Sequence, residues 1–95
     1  MYYSISIAPV NEGAVEKVLD TAREIVPKAL QEKGCLMYHV FISDKDPNTV
    51  VMLEQWESAE DFAAHTKGPC CAAFGAVLDA NCGPCILQTG YTIEI

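Results

Sequence analysis

The amino-acid sequence predicts one α+β domain over residues 1–95, ordered β-α-β-β-α-β, with a four-stranded antiparallel sheet carrying its helices on one face. Three observations predict it. Segments that alternate apolar with polar residues mark strands, and stretches with apolar residues three and four apart mark helical regions. A cluster of turn formers joins the two central strands with no room for a helix. Both helical crossovers then fall on the same sheet face, because such connections are right-handed.

The elements follow in order. Tyr2 to Ala8 sets Tyr3, Ile5 and Ile7 against Ser4 and Ser6, the period of a half-buried strand that Pro9 ends. Val15, Val18, Leu19, Ala22, Ile25, Val26, Ala29 and Leu30 form a helical stripe opposite Glu16, Lys17, Asp20, Arg23 and Glu24. Pro27 is expected to kink or split this helix and Gly34 to stop it. Cys35–Ser43 and Thr49–Glu57 read as a hairpin around Asp44-Lys45-Asp46-Pro47-Asn48, a loop whose length leaves the register open. Ser58-Ala59-Glu60-Asp61 has the form of a capping box opening a short helix through Phe62 and His65 to Gly68. A second helix starts at Pro69, runs through Phe74, Val77 and Leu78, and ends at Asn81, Gly83 and Pro84. Ile86 to Ile95 is expected as the last strand, with Leu87, Thr89, Tyr91, Ile93 and Ile95 on one face.

Composition narrows the function. Net charge is −7 with only six Lys and Arg, which argues against nucleic acid, since phosphate binding needs clustered cations. No apolar run reaches the length of a membrane span, and the start at Met1-Tyr2-Tyr3-Ser4 lacks the basic and apolar regions of a secretion signal. Five cysteines, an odd number, fit reduced thiols in the cytoplasm. The hairpin is apolar on both sides, with Cys35, Met37 and Phe41 against Leu36, Val40 and Ile42, and Val50 and Met52 against Val51 and Leu53. A sheet wet on one face alternates instead, so a second copy of the chain is expected to cover the face without helices.

Three segments carry a resemblance. Gly34-Cys35-Leu36-Met37-Tyr38, then Val51-Met52-Leu53-Glu54-Gln55-Trp56-Glu57-Ser58, then Phe62-Ala63-Ala64-His65-Thr66 with Phe74, resemble the antibiotic biosynthesis monooxygenase domain. That resemblance implies a ferredoxin-like βαββαβ fold assembled as a dimeric α/β barrel. It also implies oxidation of quinol- or anthrone-like aromatics by molecular oxygen without metal or flavin. Relatives of the same fold degrade haem or isomerise small molecules, so fold alone does not decide the chemistry. Haem-degrading relatives carry a pocket asparagine in the first strand; Ser4 and Ser6 stand here, which counts against haem.

The residues admit bland and functional readings side by side. Trp56 serves packing, and by the resemblance donates its indole N–H to a substrate oxygen. His65 lies about two turns past Ser58 on the stripe of Phe62, either as a hydrogen-bonded core residue or as a general base. Glu54, mid-strand, is either a structural ion-pair partner or a proton shuttle. Tyr38, Met52, Phe62 and Phe74 are expected as substrate-lining residues, while Tyr38 equally suits an ordinary half-buried site. His39 is read as structural, and Cys35 and Cys71 as small packing groups.

Cys82-Gly83-Pro84-Cys85 spells a dithiol redox motif, but it follows a helix, whose negative dipole end raises rather than lowers a thiol's proton affinity. A metal site built from Cys70, Cys71, Cys82 and Cys85 would span about 16 Å of helix between Cys71 and Cys82. Sulfurs on one metal sit within about 4 Å of each other. The sequence thus points first to a cofactor-independent monooxygenase with His65, Trp56 and Glu54 at its centre. A cofactor-free isomerase of a small carbonyl compound and a non-catalytic dimeric binding module are the alternatives.

Overall fold

A computed structural model describes residues 1–95 and shows seven elements. They are β1 (Tyr2–Pro9), α1 (Val15–Ala29), β2 (Cys35–Ile42), β3 (Thr49–Trp56), α2 (Ala59–Thr66), α3 (Pro69–Asn81) and β4 (Ile86–Tyr91). The strands form one antiparallel sheet in the order β2-β3-β1-β4, and β1 pairs with both β3 and β4. This is the ferredoxin-like arrangement that the βαββαβ order predicts.

The helices cover the sheet face that carries Ala8, Val50, Met52 and Tyr38, and α1 presents Val18, Ala22, Ile25 and Ala29 to it. Steps of four, three and four residues keep that stripe on one side of a 3.6-residue helix. Phe74 and Cys70 of α3 join the same core. In β1 the serines, not the apolar residues, face the helices: Ser4 pairs with Glu54 and Thr89, Ser6 with Met52 and Leu87. Tyr3, Ile5 and Ile7 therefore face away, beside Val51 and Leu53 of β3 and the exposed Phe41 and Ile86.

Pro27 neither kinks nor splits α1, contrary to the sequence expectation. It sits on the exposed side of the last turn, so the Arg23 carbonyl it leaves without a donor belongs to an exposed residue, and Leu30 N still donates to Val26 O at 3.0 Å across it. The helix ends at Ala29, not at Gly34, and Gln31 and Glu32 close onto Lys28 and Ala29 as tight turns. Gly34 is needed for another reason: its φ is +81°, and a Cβ there would run into the Asp61 carboxylate.

The hairpin holds a surprise of register. A bulge at Leu36 puts Cys35 opposite Trp56 but Met37 opposite Gln55, which reverses the alternation of β2. Cys35, Tyr38, Val40 and Ile42 consequently share the helix face, while Met37, His39 and Phe41 share the open one. The grouping of Cys35 with Met37 and Phe41 is corrected accordingly. β4 also stops early, at Tyr91, because β1 begins at Tyr2 and offers no further partner after Thr92 N bonds to Met1 O at 3.0 Å. Ile93 and Ile95 are left fully in the open. Ser58 caps α2 by accepting from Asp61 N at 3.1 Å, while the Asp61 carboxylate turns toward Lys33 instead of back to the cap, so half of the box forms. No helix is long and apolar enough to cross a membrane.

Candidate active site

The end of β3 and the start of α2 set the geometry. Trp56 closes the strand, Ser58 caps the helix two residues on, and α2 folds back so that the His65 ring lies 4.8 Å from the indole. His65 is 4 % exposed and bridges two carboxylates. Its Nδ1 is 2.8 Å from Glu32 Oε1, and its Nε2 is 3.6 Å from Glu54 Oε1. The first is a hydrogen bond; the second is too long for one. The Glu54 oxygen instead accepts the Trp56 indole N–H at 3.1 Å. A buried chain, Trp56–Glu54–His65–Glu32, thus runs from the sheet interior to the surface.

A cavity of about 160 Å³ lies between this chain, α3 and the sheet. His65, Glu54 and Tyr38 line it on the polar side, and Met52, Phe62 and Phe74 on the apolar side. Trp56 does not line it: the indole is fully buried behind Glu54 and His65, with its N–H already committed. Its N–H is therefore not free for the donation to a substrate that the resemblance implies. On its outer side His65 borders a second cleft, shared with Glu32, Lys33, Glu60 and Asp61 at the surface. One imidazole therefore borders both the cavity and the surface cleft.

Glu32 escaped the sequence analysis. It lies in the turn after α1, 33 residues from His65, and nothing in its spacing signals the contact. Its position is set by backbone bonds on both sides, Glu32 N to Ala29 O and Cys35 N to Glu32 O. A carboxylate only accepts, so Glu32 fixes the hydrogen of the neutral imidazole on Nδ1 and leaves the Nε2 lone pair toward the cavity.

Burial raises the Glu54 carboxyl above its ordinary range, with the Trp56 hydrogen bond and His65 pulling it back and Glu32 adding to the rise. Tyr38, its ring 6.1 Å from His65, is kept a neutral phenol by burial and by Glu54. Cys71 also faces the cavity, and burial followed by the charges of Glu54 and Glu32 raises its thiol. Cys35 is pushed up to about 11, chiefly by burial. Cys82 and Cys85 sit past the C-terminal end of α3, both raised by burial and by Asp79 among other charges, conditions opposite to those of a reactive dithiol. The unbroken α3 keeps them at the far end from Cys70 and Cys71.

A larger open groove, about 570 Å³, runs between α1 and β2. It is lined by Leu19, Val26, Phe41 and Ile42 and holds one charged group, Arg23, already tied to Glu16 and Asp20. With no acid, base or thiol of its own, it offers no chemistry comparable to the smaller cavity.

His65, Glu54 and Tyr38 thus stand together on one wall of a mostly apolar pocket. Residues 1–77 match the family model described as antibiotic biosynthesis monooxygenase, and the chain belongs to that family. The protein named "Probable quinol monooxygenase YgiN" of Escherichia coli strain K12 is 36 % identical over 88 residues, covering 79 % of this chain and 83 % of that protein. A crystal structure of an antibiotic biosynthesis monooxygenase superposes with a TM-score of 0.90 over 99 % of this chain and all of the other, at 24 % identity. A conserved protein of Bacteroides thetaiotaomicron superposes at 0.85, covering 94 % of both chains, with 27 % identity.

The raised Glu54 has a stability signature. The folded state binds its proton more tightly than the unfolded chain, so this contribution is fully present below the ordinary value of 4.5 and is lost as pH rises through the higher folded value. Urea unfolding at about pH 7 and about pH 5 is expected to show wild type gaining on Glu54→Gln at the lower pH. An unchanged difference, or one of opposite sign, would mean that Glu54 does not hold its proton in the fold.

Proposed function

We propose that this chain is a cofactor-independent monooxygenase oxidising a small quinol- or anthrone-like aromatic with molecular oxygen. The observation that carries the reading is the placement of His65, its Nδ1 held by Glu32 and its Nε2 turned to a largely apolar cavity. Family membership and the likeness to a protein named as a quinol monooxygenase support it.

His65 removes the proton from a substrate hydroxyl, giving an electron-rich anion that passes an electron to oxygen. Recombination forms a carbon–oxygen bond, and cleavage of the O–O bond leaves one oxygen atom on the substrate and releases the other as water. For a quinol the balance is quinol plus O₂ giving hydroxyquinone plus water. All four electrons come from the substrate, so no external reductant is required. The protein supplies the base, the orientation and a largely apolar space. Glu32 holds the imidazole and faces the outer cleft, where the proton can leave. Glu54 accepts from Trp56 and stands beside Nε2 to share the transferred proton.

The open sheet face supports a homodimer. Tyr3, Ile5, Ile7, Leu53 and Phe41 make it apolar without a helix to cover it, and a second copy would bury it as sheet against sheet. Five free thiols suit a reducing, cytoplasmic setting.

Oxygen uptake with a panel of hydroquinones, naphthohydroquinones and anthrones tests the activity. Wild type is expected to consume oxygen with at least one of them, and His65→Ala to lower kcat by about 10²-fold or more. Turnover without oxygen consumption would point to proton-transfer isomerisation by the same pair, and equal rates in wild type and variant would remove His65 from the chemistry. Sedimentation equilibrium at micromolar concentration is expected to give twice the chain mass for wild type and a monomer for Ile5→Asp. A monomeric wild type contradicts the dimer.

A further inference from the structure

The cavity contains a polar group that the acid–base chain does not use. Ser4 is 1 % exposed, lines the cavity, and its hydroxyl has no hydrogen-bond partner. Buried hydroxyls are nearly always paired, because an unpaired one has given up water for nothing. Partners stand close by and are not engaged: Ser4 lies directly across from Glu54 on one side and from Thr89 on the other. Glu54 takes the Trp56 N–H instead. Cross-strand neighbours project side by side, so Ser4 and Glu54 reach the same end of the cavity, the end where His65 Nε2 lies.

Size supplies the second constraint. The pocket volume is about 160 Å³, open where the exposed Leu87 lines it, and an apolar void of roughly 150 Å³ is known to admit one benzene ring. Its walls of Met52, Phe62 and Phe74 suit the faces and edges of such a ring. We propose that the cavity binds a single-ring hydroxyaromatic, with the Ser4 hydroxyl hydrogen-bonded to the ring oxygen that His65 deprotonates. Ser4 donates to that oxygen as negative charge develops on it, the function first expected of the Trp56 indole. The assignment rests on reading this cavity as the reaction site, but its test needs no turnover.

Phenol and hydroquinone serve as probes under nitrogen, with toluene as the oxygen-free match in shape and 1,4-naphthohydroquinone as the two-ring match in chemistry. Affinities come from NMR titration of wild type and Ser4→Ala, and thermal unfolding is followed on the unliganded proteins. Ser4→Ala is expected to bind phenol and hydroquinone about tenfold more weakly while toluene binds both proteins alike. Its unliganded Tm should equal or exceed that of wild type, since the orphan hydroxyl is gone. A purely structural serine would do the reverse, lowering Tm and leaving affinity unchanged, and that result would overturn the proposal. So would wild type failing to bind phenol or hydroquinone at millimolar concentration, or binding the two-ring compound as tightly as hydroquinone. Ser4-dependent binding without oxygen uptake would sink the monooxygenase reading alone; uptake with Ser4-independent binding would sink this one alone.

Discussion

The site depends on the hydrogen bond between His65 Nδ1 and Glu32 Oε1, 2.8 Å long and made by an imidazole that solvent scarcely reaches. Without it the ring would be a buried base with two nitrogens and no fixed hydrogen. With it, Nε2 becomes an acceptor aimed at a cavity. The bond also ties two distant pieces of chain together, the turn after α1 and the last turn of α2. Gly34 belongs to the same junction, since only a residue without a Cβ lets that turn come up against Asp61 on α2. Backbone geometry at a glycine and proton geometry at a histidine are thus parts of one constraint.

Around that bond the fold divides its labour by face. Helices cover one side of the sheet, and there the inward row of β1 is Ser4, Ser6 and Ala8, small side chains that leave room for a cavity. The bulky residues of the same strand, Tyr3, Ile5 and Ile7, point to the uncovered side. Exchanging the two rows by a one-residue slip would fill the cavity and strip the open face of its apolar character. The cavity and the open apolar face are therefore written into one strand with period two.

Much of this was legible in the sequence. Periodicity located β1, α1 and β4, turn formers located the central hairpin, the capping box and Pro69 located α2 and α3, and the segments Gly34–Tyr38, Val51–Ser58 and Phe62–Thr66 with Phe74 carried the resemblance that led to the cavity. Local rules failed where tertiary context decides. Pro27 is tolerated because it lies on the exposed side of a last turn, with only two helical residues beyond it. β4 stops at Tyr91 because its partner strand has run out, although apolar alternation continues to Ile95. The bulge at Leu36 leaves no mark in composition, yet it decides that Tyr38 faces the cavity and Met37 does not. Glu32 was invisible for a different reason: a carboxylate in a turn is ordinary until a histidine 33 residues away is laid against it. Trp56 shows the converse, a residue that stands out in the sequence but bonds to Glu54 instead of lining the cavity.

The central claim is that Glu32 sets the hydrogen on His65. The chain has two histidines, so ¹⁵N NMR of wild type compared with His39→Gln assigns the His65 ring without ambiguity. In the neutral ring the account predicts the hydrogen on Nδ1 and a bare Nε2, with that preference weakened in Glu32→Ala. A hydrogen found on Nε2 in wild type, with the ring indifferent to the loss of Glu32, would contradict it and leave the cavity without its base.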